Sequence, residues 1–142
     1  NMKKVSVIYW SGTGNTEAMA NAVAEGVKEG GGEVSLLSVN MADLSSLDAD
    51  ALVFGCPAMG AEELEESEFE PFFFAAEGKL SGKKVGLFGS YGWGDGEWMR
   101  KWQDRVTENG GILLGDGVIA NNTPDDDALV LCRALGKAAA QD

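Results

Sequence analysis

Val5-Ser6-Val7-Ile8-Tyr9-Trp10 runs straight into Ser11-Gly12-Thr13-Gly14-Asn15-Thr16. The first half is nearly continuous in apolar residues, the pattern of a strand covered on both faces. The second half is a loop of small hydrogen-bond donors. After it, Met19, Val23 and Val27, with Ala20 and Ala24 beside them, make one apolar helix face. A strand that empties through such a loop into a helix is a phosphate cradle. No lysine or arginine lies in the loop, so a bound anion would be held by backbone N–H groups, hydroxyls, an amide and the helix end.

Three phosphate-binding templates compete for these residues. The nucleotide triphosphatase loop needs a lysine and a hydroxyl residue after its last glycine, where Asn15-Thr16 stands. The dinucleotide fingerprint needs a third glycine where Glu17 stands. The template that fits is a neutral loop around a terminal phosphate monoester, with hydroxyls from Ser11, Thr13 and Thr16, an amide from Asn15, and glycines that let the backbone close in.

Outward from this loop, strands and helices alternate. Glu33 to Val39 fits an edge strand, and a turn or short helix spans Asp43 to Leu47. Ala51 to Gly55 is the third strand, Val85 to Phe88 the fourth, and Ile112 to Ala120 a fifth strand bulged at Gly115-Asp116-Gly117. A helix is expected to start near Pro71 behind a Ser67 and Glu70 capping box, another to run from Glu97 to Glu108, and the last to start at Thr123 as N-cap with Pro124 following. This is an α/β, doubly wound, five-stranded parallel sheet with helices on both faces. The length of 142 residues fits one domain, residues 2–142.

The net charge of −12 repels nucleic acid and anionic membranes and suits a basic partner. No apolar run approaches the ~20 residues of a transmembrane helix. The stretch after Lys3-Lys4 reaches Ser11 too soon for a signal peptide, so a cytoplasmic location is expected. Asn1 ahead of Met2 is expected to be a remnant outside the native chain. Cys56 and Cys132 form no C-x-x-C pair and read as reduced, and the absence of histidine makes triads, most zinc sites and hydrolytic chemistry poor readings. No metal site is expected. Any chemistry belongs to a cofactor.

Ligands of such sheets bind beyond the carboxyl ends of the strands. That groups the Ser11 to Thr16 loop with Pro57-Ala58-Met59-Gly60-Ala61-Glu62-Glu63 and Ser90-Tyr91-Gly92-Trp93-Gly94-Asp95-Gly96. Singly, Met59 reads as a gap filler and Trp93 as cover for the core edge. Together, beside a phosphate cradle, they suit the two faces of a flat heteroaromatic ring, with flavin the candidate.

At these residues the chain closely resembles the short-chain flavodoxins. The resemblance rests on Ser11-Gly12-Thr13-Gly14-Asn15-Thr16, on Met59-Gly60 with Glu62, and on Gly89-Ser90-Tyr91-Gly92-Trp93-Gly94. It implies strand order 2-1-3-4-5 with non-covalent FMN, its phosphate in the first loop and Met59 and Trp93 on opposite faces of the ring. Glu62 would bond the ring N3 edge, and backbone groups around Gly92 would reach the pyrimidine end. It also implies that the Gly60-Ala61 peptide turns its carbonyl toward N5 on one-electron reduction, which stabilises a neutral semiquinone. The implied function is a low-potential one-electron carrier, a monomer without a substrate of its own. Its partners would be basic reductases and ferredoxin-dependent oxidoreductases.

Two positions depart from many relatives. Ala61 stands where a polar or acidic residue is common, and Asn121-Asn122-Thr123 where some relatives place an acidic one. Alanine disfavours positive φ at the third turn position by ~1 kcal/mol while Gly60 tolerates it at the second, which favours the carbonyl-toward-N5 turn. The glutamates at 62, 63, 65, 66, 68 and 70 read mostly as a solvated run whose field lowers the last reduction potential and steers basic partners.

Other readings fare worse. An FMN-dependent quinone or nitroreductase is the enzyme alternative on this fold, but it needs added segments for a substrate pocket. A response-regulator receiver needs acidic residues where Trp10-Ser11 and Cys56-Pro57 stand, and a low-molecular-weight phosphatase needs an arginine where Glu62 stands. The acidic spacing matches no EF-hand calcium loop.

Overall fold

The computed structural model describes residues 2–141, and Asn1, read above as a remnant, lies outside them. Five parallel strands, β1 (Lys4–Tyr9), β2 (Glu33–Ser38), β3 (Ala51–Gly55), β4 (Lys84–Tyr91) and β5 (Ile112–Leu113), form one sheet in the order β2-β1-β3-β4-β5. Beyond β5 a further short strand, β6 (Val118–Asn121), also pairs in parallel with β4. The expected fifth strand is thus two strands rather than one bulged strand. Its two halves meet β4 at separate places, Lys84↔Ile112 and Phe88↔Val118, and the segment around Gly115 bridges them.

Pairing with β6 also lengthens β4. Ser90 and Tyr91, expected in a loop, lie opposite Ala120 and Asn121 and finish the strand. Strands β3 and β4 are buried along almost their whole length, as their unbroken apolar sequences require.

Helices cover both faces. α1 (Asn15–Glu29) and α4 (Asp126–Ala139) pack on one side, where Met19, Val23, Val27, Cys132 and Leu135 meet Val5, Val7, Val53 and Phe88. α2 (Phe69–Ala76) and α3 (Glu97–Glu108) cover the other, where Phe69, Phe73, Trp98 and Trp102 meet Ile8, Leu52, Phe54 and Leu87. Trp98 and Trp102 are both core residues at 2% exposure. Arg105 ties α3 to α2: it grips Glu70 at 2.6 and 2.7 Å, bonds Glu77, and lies over the Phe73 ring.

Two helix caps differ from expectation. α4 begins at Asp126 rather than behind Thr123, because the Asp125 carboxylate accepts the Ala128 N–H at 2.8 Å and takes the N-cap role. α2 begins at Phe69, before Pro71, and Ser67 does not cap it. The cap is supplied from Glu65, whose two oxygens accept the N–H groups of Ser67, Glu68 and Phe69 at 2.8 to 2.9 Å.

After β1 the chain turns to β2 on one side, and it returns on the other side at β3. Between these diverging connections a crevice opens at the carboxyl ends of the strands.

Candidate functional site

The crevice holds a cavity of about 240 Å³. The first loop gives it Gly12, Thr13, Asn15 and Thr16, the second Pro57, Ala58 and Met59, and the end of β4 gives Ser90, Tyr91 and Gly92. All three expected segments therefore meet. Trp10 and Asn122 line it as well. Trp10 is not expected there from sequence, and Asn122 stands out in sequence only as a departure from relatives and not as a binding residue. Their signal was positional, since Trp10 continues β1 and Asn122 follows β6.

The first loop is organised by Ser11. Its Oγ accepts the N–H groups of Gly14 at 3.1 Å and Glu17 at 3.2 Å, which folds the chain back on itself ahead of α1. Gly14 is the N-cap and makes no side-chain cap, so the helix end stays open toward the cavity. Among the described residues, no acceptor takes the N–H groups of Gly12, Thr13 or Thr16. Unpaired donors at a helix start, free of cationic side chains, suit a phosphate group. The Thr16 hydroxyl is buried and meets Ser90 Oγ at 3.0 Å, which latches α1 to β4 beside the cavity that Thr16 lines.

The second loop is a tight turn closed by Met59 and Glu63, which exchange backbone hydrogen bonds at 2.7 and 2.9 Å. Gly60 takes φ +50° and Ala61 stays at negative φ, as the turn argument expected. Met59 is partly exposed at the cavity mouth. Glu62 is buried, at φ +59°, and Oε2 accepts the Trp98 N–H at 2.8 Å, the first turn of α3. A non-glycine residue in that backbone region stores strain, here offset by a charged cap on the helix end.

The third loop closes over this carboxylate. A Cβ added at Gly94, which sits at φ +93°, would fall 1.8 Å from Glu62 Oε1. Trp93 beside it is 70% exposed and stands outside the cavity wall, leaving Tyr91 as the aromatic side chain of that segment in it. The loop is braced by Asn121, whose Nδ2 donates to the carbonyls of Tyr91 and Gly92 at 3.3 Å.

The acidic run is less uniformly solvated than it looked. Glu62 and Glu65 are buried. Burial alone would raise the Glu65 carboxyl, but the Ser67 hydroxyl and the N–H groups of Phe69, Glu68 and Ser67 outweigh it and hold it down to about 2. Cys56 lies behind the same loop, its sulfur accepting the Glu65 N–H at 3.3 Å. Burial pushes its thiol up to about 12, which makes it a packing group and not a nucleophile.

A sequence model described as flavodoxin matches residues 7–136. The flavodoxin of Megasphaera elsdenii is 49% identical over 140 residues, covering 96% of this chain and 98% of its own. The chain belongs to the flavodoxin family. The flavodoxin of Clostridium beijerinckii is likewise 49% identical, over 86% of this chain and 89% of its own. In three dimensions, the solution structure of two-electron reduced Megasphaera elsdenii flavodoxin superposes with a TM-score of 0.88 at 48% identity, over 97% of this chain and 99% of that one. The flavodoxin cofactor is FMN, and the open donors of the first loop fit its phosphate. Among the described residues, no helix is long and apolar enough to cross a membrane.

Proposed function

We propose that this flavodoxin, acting as one FMN-binding unit, carries single electrons at low potential with FMN seated in the crevice between the loops that follow β1, β3 and β4. FMN supplies the redox chemistry, and the chain's own residues set where it sits and how readily it accepts charge. The observation that carries the reading is the open helix N-terminus of α1, whose loop presents unpaired N–H groups and no cation.

In this reading Ser11 to Thr16 hold the phosphate, with the Ser11 hydroxyl shaping the loop by accepting two of its N–H groups. Pro57, Ala58 and Met59 form one wall of the ring site, and Ser90 to Gly94 the other. Trp93, exposed beside the opening, covers the outer face. Glu62 is fixed at Oε2 by the Trp98 N–H, and Oε1, packed against Gly94 beside the cavity, is the oxygen that would accept from the ring N3 edge. Gly60 and Ala61 present their peptide toward N5, with Gly60 bearing the positive φ that alanine avoids.

An electron carrier exchanges with redox partner proteins, and basic reductases and ferredoxin-dependent oxidoreductases suit this one's charge. The distribution of charge supports this. Glu62, Glu63, Glu66, Glu68 and Asp95 lie on the segments that follow β3 and β4, at the crevice end of the sheet, while lysines at the opposite end are partly matched by acids, Lys137 by Glu29 and Lys79 by Asp48. A basic partner is thereby turned toward the crevice as it approaches. Two free, buried cysteines suit a reducing, cytoplasmic setting, and a monomer suits a carrier that must expose its crevice.

Titrating the apoprotein with FMN tests the reading. One FMN bound per chain, with quenching of flavin and tryptophan fluorescence, is the expected result, and failure to bind FMN would contradict it.

A further inference from the structure

Trp10 is the last residue before the phosphate loop, and its indole makes two contacts that the loop's own residues do not. The ring lies directly against Gly12, where an added Cβ would fall 2.9 Å from Cη2 and 3.2 Å from Cζ3. Its Nε1–H donates to Glu68 Oε1 at 3.0 Å, across 58 residues of sequence.

Glu68 is itself held. Its backbone N–H donates to Glu65 Oε1 at 2.8 Å, and the Glu65 N–H donates to Cys56 Sγ at the end of β3. The backbone of Trp10 is fixed as well, its N–H donating to the Gly55 carbonyl at 3.0 Å. The indole thus has a contact at each end, the one at Nε1 being with a solvent-exposed carboxylate on a fixed backbone. It also forms the wall between the FMN cavity and a polar hollow of about 200 Å³ bounded by Glu17, Asn40 and Glu68.

We propose that Trp10 is a positioning residue for the phosphate site, locked by Glu68, and that this pair sets how strongly the protein prefers a phosphorylated flavin. The inference rests on the FMN reading above. A loop that binds an anion through backbone N–H groups gains affinity only when those groups are already aimed, because the entropy of ordering them is otherwise subtracted from binding. Gly12 has no side chain with which to anchor itself, so its position is set by what it lies on. The indole supplies that floor, and the bond to Glu68 keeps the floor from rotating toward the polar hollow.

The test compares FMN with riboflavin, which has the same ring and no phosphate, by titrating apoprotein with each. Trp10→Phe keeps an aromatic floor and removes the N–H, Glu68→Ala removes the acceptor, and Glu68→Gln keeps an acceptor oxygen. Trp10→Phe and Glu68→Ala should each lower the preference for FMN over riboflavin about fivefold, with riboflavin affinity unchanged. The double variant should lose no more than either single one, and Glu68→Gln should stay within about twofold of the parent. An unchanged preference in Trp10→Phe and Glu68→Ala, or equal weakening of both flavins, would overturn the proposal. An unaltered protein that ignores FMN would instead overturn the cofactor reading beneath it.

Discussion

Glu62 and Trp98 stand 36 residues apart and are joined by a 2.8 Å hydrogen bond from the Trp98 N–H to one carboxylate oxygen, deep in the protein. The bond makes a single side chain serve two elements. Oε2 caps the start of α3, and Oε1 is pressed against Gly94 on the loop that closes the flavin site. In the proposed FMN site, ring environment and helix stability are linked through this one buried carboxylate.

Replacing that charge should show in both. In Glu62→Gln the last one-electron reduction should become easier, because a negative group no longer opposes the charge being added. The expected rise in potential is about 40 mV, equivalent to ~1 kcal/mol for a one-electron step. The same variant should lose ~1 kcal/mol of stability from the weakened cap. Spectroelectrochemical titration and urea denaturation measure the two effects.

The turn at residue 61 supplies a second redox prediction. Gly60 carries positive φ and Ala61 does not. Ala61→Gly would relieve the ~1 kcal/mol penalty that keeps the turn in this form, so the first one-electron potential should fall by up to about 40 mV. Unchanged midpoint potentials in a redox titration of this variant would count against the turn argument.

Glu65 supplies a prediction about acid stability. Its carboxyl is held at about 2 against an ordinary 4.5. The folded value is the lower one, so its contribution is complete above about pH 4.5 and is lost as pH falls through about 2. Glu65→Ala should cost about 3 kcal/mol near neutrality. The gap between variant and parent in urea denaturation should close steadily across that acid range.

Much of this was legible locally. The run Val5 to Tyr9 and its loop declare β1, the cradle and α1 because each signal lies within a few neighbours. The limits of α3 were equally plain, with Glu97 in its first turn and Gly110-Gly111 beyond its end. The differences arose where a distant partner decides. Ser67 with Glu70 looks like a capping box, yet the Glu70 N–H goes to the Glu65 backbone carbonyl and the Ser67, Glu68 and Phe69 N–H groups go to the buried Glu65 carboxylate. The contact of the Thr16 hydroxyl with Ser90, 74 residues away, has no local signature. Trp10 gave no local sign that it reaches Glu68.

Salt should slow electron exchange. The acidic residues around the crevice would attract the basic partner proposed above over distances comparable with the Debye length, ~8 Å at physiological ionic strength. Association rates in stopped-flow electron transfer should fall as salt rises. A flat or rising dependence would remove steering from the account.

The visible spectrum during stepwise dithionite reduction of the purified holoprotein tests the central claim most directly. The account predicts a yellow protein with one FMN per chain that passes through a distinct long-wavelength one-electron form before bleaching. A protein that bleaches in one concerted two-electron step, or that takes up no FMN and stays colourless, would contradict it.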